Sequence, residues 1–240
     1  MPVASQPQRL DHILSRYGYC SRREAWDWIR DGRVQIESVQ AASPEQKVCV
    51  SLVFVDGEPI ECPVGILAML HKPVGCVCSH DPREGPTIYD LLPVRWLRRH
   101  PPVTSVGRLD KDASGLLLIT DVGALVQRWT SPRHHVAKIY EVTVDRDLND
   151  SLAGVFAAGS LLLEGETKPC APAPLEILGQ RHARLTLTEG RYHQVKRMFA
   201  SQSYTVTRLH RTRFGEWELG DLPPGQWRLL AGAGSLGQTA

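Results

Sequence analysis

One stretch constrains the fold more than any other: "VGRLDKDASGLLLITDVG", residues 106–123. It places a short turn directly before the wholly apolar run 116–119, which predicts a buried strand. Asp110 lies just before the start of that strand, between two cations, Arg108 and Lys111. A carboxylate at this place is either a turn residue or part of a chemical site, and the spacing alone leaves both interpretations open.

Length and composition restrict the class of protein. At 240 residues the chain can hold one large domain or two unequal ones. It contains no apolar run near the roughly 20 residues that cross a bilayer, and "MPVASQPQRL" at its start lacks the apolar segment of a signal peptide. The scattered cysteines include no C-x-x-C pair, so we expect reduced thiols, no zinc site and a cytoplasmic location.

The basic residues are concentrated, although the formal net charge is only +2. Residues 94–108 carry four arginines and no acid, and residues 191–213 carry five arginines, one lysine and no acid. Residues 9–33 carry six arginines against four acids. One such block could be the solvated face of an ordinary helix, but three blocks indicate a polyanionic partner, most naturally nucleic acid.

The first part of the chain predicts a small module of two helices and several strands. Residues 1–8 are polar and predict a disordered leader. Within residues 9–61, apolar residues recur at helical spacing, and Ser21 with Glu24 forms a capping-box pattern before the second helix. Strand-like runs follow, and Asp56-Gly57 predicts a hairpin turn between two of them.

Beyond a linker at residues 62–65, the pattern becomes rich in strands and extends over residues 66–231, before a flexible tail at 232–240. Helical stretches intervene without a regular β-α-β alternation, so we expect an α+β fold with a mixed, mostly antiparallel sheet. The predicted helices lie near 123–130, 148–158 and 191–202. The predicted strands are 66–70, 116–120, 139–144, 183–188, 204–209 and 226–230.

The first module, "RLDHILSRYGYCSRREAWDWIRDGRVQI", resembles the S4 RNA-binding domain. The remainder resembles pseudouridine synthases of the RsuA type, and the whole resemblance covers roughly residues 9 to 231. One departure is "VQIESVQ", where the S4 pattern has V-x-V-N-G or V-x-V-D-G, so we expect a longer or differently shaped turn near Glu37. The motifs that carry the second resemblance are "LHKPVGCVCSHDP", "VGRLDKDASGLLLITDVG", "TSPRHHVAKIYEVTV", "LTEGRYHQVKRMFA" and "LHRTRFGEWELGDLPPGQWRLL".

The resemblance implies isomerisation of uridine, in which the C1′–N1 bond breaks and the uracil rebonds through C5, without redox change and without a cofactor. It assigns the reacting carboxylate, as nucleophile or general base, to Asp110. It gives the basic partner as Lys196, which predicts a salt bridge that keeps Asp110 ionised. Tyr140 matches the family tyrosine that stacks on the target base, although a core tyrosine is the ordinary interpretation of the same pattern.

Further residues are predicted to contact RNA. We expect Arg191 and Arg197 to lie on one helix with Lys196 and to face the cleft. His134 and His135 are expected on a strand, so that one can contact RNA and the other packs. Asp112 is expected to cap the turn. The full predicted RNA-binding set is Arg108, Arg191, Arg197 and His134 in the larger unit, and Arg9, Arg22, Arg23, Arg30 and Arg33 in the S4-like module.

The sequence therefore predicts a monomeric, site-specific pseudouridine synthase of ribosomal RNA. "TSPRHHVAKIY", "TKP" and "EGRYHQVKRMF" are most similar to the enzymes of small-subunit (16S) rRNA, and the resemblance implies uridine 516. The alternatives are a synthase of 23S rRNA and a non-catalytic S4-type RNA-binding or assembly protein. A glycosidase is disfavoured because "GRLD" lacks the second carboxylate that such an enzyme places across the scissile bond.

Overall fold

The computed structural model describes residues 6–230. Residues 1–5 of the predicted leader and all of the predicted tail lie outside this range. The leader prediction is wrong at its last residue, because Gln8 pairs with Val48 in a short strand. Within residues 6–230, no helix has the length and apolar character needed to cross a membrane.

The N-terminal module contains two short helices packed on small sheets. A four-stranded antiparallel sheet has the order β3-β2-β5-β6, and β1 pairs with β4. Leu10, Ile13 and Leu14 are fully buried and supply one helix face of its core, as the spacing predicts. The elements are β1 Gln8–Arg9, α1 Leu10–Arg16, α2 Ala25–Arg30, β2 Val34–Ile36, β3 Val39–Gln40, β4 Lys47–Val48, a 3-10 turn Val50–Leu52, β5 Val53–Val55 and β6 Glu58–Pro59.

Local sequence signals in this module are confirmed. The Ser21 hydroxyl accepts the Glu24 amide at 3.3 Å, and the Glu24 carboxylate accepts the Ser21 amide at 2.7 Å, which is a capping box. Asp56 and Gly57 both have positive φ, as a two-residue hairpin turn requires. The turn at Glu37 is no longer than the S4 pattern: two residues join β2 to β3, with Glu37 at φ 56°.

The larger unit is built on a nine-stranded sheet of order β11-β12-β10-β13-β9-β7-β15, with β14 on β13 and β8 on β9. The strands are β7 Leu67–Lys72, β8 Thr104–Ser105, β9 Ala113–Thr120, β10 Lys138–Val144, β11 Leu175–Gly179, β12 His182–Leu187, β13 Val206–Phe214, β14 Trp217–Glu218 and β15 Trp227–Leu229. The helices are α3 Val94–Leu97, α4 Gly123–Thr130, α5 Ser151–Ala157 and α6 Gln194–Ala200, with 3-10 turns Pro82–Glu84, Ile88–Leu91 and Pro132–His134. The α+β class and the mostly antiparallel sheet are confirmed.

The centre of this sheet is a parallel seam between β9 and β13, whereas the other strand pairs are antiparallel. The apolar run 116–119 in β9 is completely buried and packs on both faces of the sheet. Because β9 follows directly after the Lys111–Asp112 turn, the seam places Asp110 at the end of the two most central strands.

A buried ion pair of the larger unit holds the segment that connects it to the N-terminal module. The Arg99 guanidinium donates to the Asp121 carboxylate at 2.7 Å and to the backbone oxygens of Glu61 and Cys62 at 3.1 and 3.0 Å. Tyr17 of the module donates to the Pro63 carbonyl at 2.8 Å. These contacts fix the connecting segment against the sheet, since a buried charge pair with satisfied donors resists rearrangement.

Candidate active site

A cavity of about 520 Å³ lies beside the seam. It combines two kinds of wall: apolar and aromatic side chains, and a group of charged ones. Asp110 is the only carboxylate in its wall among residues 6–230. The charged and aromatic lining residues are Arg108, Asp110, Lys111, Trp129, Lys138, Tyr140, Arg191, Tyr192, His193, Arg211 and Phe214.

The Asp110 carboxylate, 23% exposed, faces two basic groups from the segment around α6. Lys196 Nζ lies 3.2 Å from its Oδ2, and His193 Nε2 lies 3.3 Å from its Oδ1. The predicted salt bridge is therefore present. Lys196 also donates to the Asp112 carboxylate at 2.5 Å, a contact beyond the turn cap that we expected of this residue. One ammonium is thus shared between two carboxylates of one turn.

The shared ammonium has a definite charge state. Partial burial acts to lower the pKa of Lys196, but hydrogen bonds and the charges of Asp112 and Asp110 raise it above its ordinary value. The hydrogen bond from Lys196 lowers the pKa of Asp112. Lys196 therefore remains a cation beside Asp110 at neutral pH.

A second lysine, Lys72, fixes the backbone of the Asp110 turn through hydrogen bonds. Lys72, at the end of β7, is completely buried, and burial lowers its pKa. Its ammonium donates to the backbone oxygens of Ala113 at 2.7 Å, Pro73 at 3.0 Å and Lys111 at 3.4 Å. Two of these acceptors, Lys111 and Ala113, belong to the turn that begins at Asp110, so Lys72 holds the carboxylate in place without touching it.

Replacement of Lys72 by Met is expected to lower kcat by about 10–100-fold, because a small displacement of a reacting group has effects of that size. The unsatisfied carbonyls should also reduce the free energy of unfolding by about 1–3 kcal/mol. Steady-state kinetics should show the change in kcat rather than KM. The exposed Lys168, changed to Met, is the matched control and should behave as wild type. An unchanged kcat in the Lys72 variant would refute the positioning role.

The tyrosine predicted to face the cleft lies in the cavity wall. Tyr140, on β10, is buried, and its hydroxyl accepts from Arg211 Nη1 at 3.4 Å. Arg211, on the neighbouring strand β13, is itself almost completely buried and also donates to the Leu116 carbonyl at 2.7 Å. A flat ring and a buried cation therefore line the same cavity as the carboxylate.

Comparison with known proteins identifies the family to which this chain belongs. The family model for RNA pseudouridylate synthases matches residues 66–201, and the S4 domain model matches residues 8–54. The chain belongs to the RNA pseudouridylate synthases. It is 39% identical over 225 residues to "Ribosomal small subunit pseudouridine synthase A" of Haemophilus influenzae, which covers 92% of this chain and 95% of that protein.

Two further relatives agree with this assignment. The protein of the same name from Escherichia coli K12 is 41% identical over 227 residues, covering 92% of this chain and 96% of its own length. A solved structure described as a pseudouridylate synthase is 37% identical, with a TM-score of 0.64, and covers 94% of this chain and 96% of that chain. This synthase therefore matches these relatives over both of its units.

The structure does not place all the predicted RNA-binding residues on the open surface of this synthase. Helix α6 begins at Gln194, so the prediction that Arg191 lies on it is wrong. Arg191 donates to the carbonyls of Lys168 and Pro169, at 2.7 and 2.6 Å. Arg197 donates to the Glu166 carboxylate at 3.0 Å. Both arginines anchor the segment 164–169 and have their donors engaged.

The two adjacent histidines are also placed differently from the prediction. His134 ends a 3-10 turn and His135 has a left-handed backbone, so they do not lie on a strand. Both are exposed, and neither packs in the core. Arg108, in contrast, is exposed and lines the cavity, as expected of a residue that could meet RNA at its mouth.

Most arginines of the S4 module form ion pairs with acids of the same module. Asp11 accepts from both Arg9 and Arg22, each at a shortest distance of 3.0 Å. Asp11 is buried, so its two partners are held in place, whereas pairs in which both side chains are exposed contribute only about 0–1 kcal/mol of stability and can exchange for a phosphate. Arg30 pairs with Asp27, and Arg33 pairs with Asp56, whereas Arg23 is exposed and makes no ion pair within residues 6–230.

Sequence reasoning missed four residues of the site: Lys72, Lys138, His193 and Arg211. For His193 a signal was present, because it belongs to the same "RYHQVK" motif as Lys196. It lies in the left-handed region at φ 47°, which is uncommon outside glycine and concentrates at functional sites. The other three lie inside strands, where single-sequence patterns indicate only that a residue is in a sheet.

Proposed function

We propose that this synthase isomerises one uridine of small-subunit rRNA, with Asp110 acting at ribose C1′. The observation that carries the proposal is the single carboxylate in the cavity wall among residues 6–230, 3.2 Å from a lysine ammonium. A negative carboxylate can act on the sugar as nucleophile or general base. The names of the relatives from H. influenzae and E. coli support the small-subunit substrate.

Lys196 and His193 have distinct parts in this proposal. Lys196 is cationic and lies 3.2 Å from Asp110 Oδ2, where its charge balances that of the carboxylate that acts on the sugar. His193 Nε2 lies 3.3 Å from the other carboxylate oxygen, Asp110 Oδ1. The His193 ring also stacks on the Tyr192 ring, with 3.9 Å between the ring centroids. Tyr192 is 77% exposed at the cavity wall, which makes this aromatic pair available to an RNA base.

Tyr140 is proposed to stack on the target uracil. A uridine inside an RNA stack cannot reach Asp110, so the nucleotide must rotate into the cavity. Removing a base from the stack costs about a few kcal/mol, and contact with an aromatic ring returns about 1–3 kcal/mol per base. The buried ring of Tyr140 offers this contact in the same cavity as the carboxylate.

The S4 module is proposed to dock structured rRNA through its arginines and so present one uridine to the cavity. Recognition of folded RNA depends mainly on shape and phosphate contact. Arg23 and the exposed, exchangeable pairs of Arg30 and Arg33 supply that charge, with Arg9 and Arg22 around the buried Asp11 and Arg108 at the cavity. His134 remains a candidate on the surface, whereas the engaged donors of Arg191 and Arg197 favour a structural role.

The finer assignment is uridine 516 of 16S rRNA, modified in the cytoplasm by a monomer. The experiment is mass mapping of pseudouridine in ribosomal RNA from a strain that lacks this protein. We expect one site in the small-subunit rRNA to lose its modification and to regain it when the gene is restored. Loss of a large-subunit site would refute the substrate, and an unchanged map would favour a non-catalytic RNA-binding protein.

A further inference from the structure

Two cations of the cavity wall that are withdrawn from solvent, one buried and one partly buried, have no acidic partner among residues 6–230. Arg211 is 2% exposed, and Lys138, at the start of β10, is partly buried. Asp110, the carboxylate of the same wall, pairs instead with Lys196 and His193. Charges removed from water are normally paired, so two without acidic partners in one cavity point to an anionic ligand.

The hydrogen bonds of Arg211 leave part of its guanidinium unused. Nε donates to the Leu116 carbonyl, and Nη1 makes a long contact of 3.4 Å with the Tyr140 hydroxyl. Nη2 is buried and has no hydrogen-bond partner within residues 6–230. A buried donor without a partner destabilises the folded protein, and more strongly when it is charged. A bound acceptor would remove that cost.

Lys138 shares a wall with Arg211. Its ammonium lies 5.4 Å from the centroid of the Phe214 ring, and the guanidinium carbon of Arg211 lies 5.2 Å from the same centroid. Burial, together with the positive charge of Arg211, lowers the pKa of Lys138 to about 8. Two like charges held close together are relieved by a negative group placed between or beside them.

We propose that Arg211 and Lys138 form an anion site for the detached uracil. The inference rests on the proposed function, because it assumes that the cavity holds the reacting uridine. When C1′–N1 breaks, its electron pair leaves with the base, and the charge spreads over N1 and the carbonyl oxygens. C5 then bonds to C1′, the proton on C5 departs, and N1 gains a proton. Both routes, through a carboxylate adduct or an unsaturated sugar, pass through this anion.

The position of Arg211 favours the base over a backbone phosphate as the ligand. Arg211 is almost completely buried and contacts Tyr140, the ring that we assign to the uracil. A phosphate belongs to a continuous polar chain and would meet more exposed cations, such as Arg108, at the cavity. Donors fixed where charge develops accelerate a reaction because they need no reorganisation.

The test compares two rRNA substrates, one with uridine and one with 5-fluorouridine at the target position. The fluorinated base is a stronger acid, so its anion depends less on the protein. Arg211→Met and Lys138→Met in the full chain are expected to lower single-turnover cleavage of C1′–N1 by about 10²-fold or more with uridine. With 5-fluorouridine the loss should be clearly smaller. Lys138→Arg should retain most of the rate.

The controls distinguish a uracil anion site from a structural role and from a phosphate contact. Arg208→Met removes an exposed cation from the same strand and should leave both rates unchanged. Equal losses with the two substrates would mean a structural role, and a weaker RNA affinity with an unchanged rate would mean a phosphate contact; either result overturns the inference. If Arg211→Met does not fold, Lys138→Met decides alone. Activity of Asp110→Asn, measured in parallel, would instead refute the proposed function.

Discussion

Asp110→Asn is expected to abolish pseudouridine formation and to leave the fold and RNA binding nearly intact. The amide has the shape of the carboxylate but cannot attack C1′ or accept a proton from the ribose. Removing a reacting side chain typically costs about 10⁴-fold or more in kcat. Single-turnover conversion of an rRNA substrate measures the rate, and filter binding of the same RNA measures affinity.

The neighbouring acid provides a matched control for this prediction. Asp112 is two residues away, much more exposed than Asp110, and bonded to the same Lys196 ammonium. Asp112→Asn should lose less than about 10-fold in rate, because Lys196 stays beside Asp110 and only a solvated ion pair is removed. If Asp112→Asn were inactive and Asp110→Asn active, the two carboxylates would have to exchange roles.

The sequence could predict those residues of the site that belong to a recognisable motif. "GRLD" and "HQVK" are far apart in the chain, but each carries one charged residue of the pair, and the resemblance joined them. The turn at Asp56-Gly57 and the capping box at Ser21 were predictable for a different reason: their hydrogen bonds are local. Such features depend on backbone conformation over a few residues and little on the rest of the fold.

The parts that sequence could not predict depend on long-range pairing. Arg211 faces the cavity only because β13 runs parallel to β9 and antiparallel to β10. The hydrogen bonds from Lys72 to the Asp110 turn form only because β7 lies beside β9. The charge count indicated a nucleic-acid partner but did not show that Arg191 and Arg197 are paired, because their acids come from the segment 164–189, outside the basic block.

The second large effect is on stability, and it arises where β9 lies closely beside β13. Gly115 is at φ +111°, and a Cβ atom there would lie 2.2 Å from the backbone oxygen of Arg211 and 2.6 Å from its nitrogen. Both neighbours are backbone atoms of a central strand, so no side chain can rotate to make room. The conformational strain costs about 1–3 kcal/mol, and the overlap costs about 1–3 kcal/mol more.

Gly115→Ala should therefore lower the free energy of unfolding by several kcal/mol and displace Arg211, so that activity falls as well. Urea unfolding should show a lower midpoint with an unchanged slope. Gly123→Ala is the control, since nothing lies within 4 Å of its Cβ and it starts helix α4; a neutral or slightly stabilising change is expected there. A wild-type midpoint for Gly115→Ala would mean that β9 and β13 do not approach each other so closely, and the position of Arg211 in the cavity would lose its support.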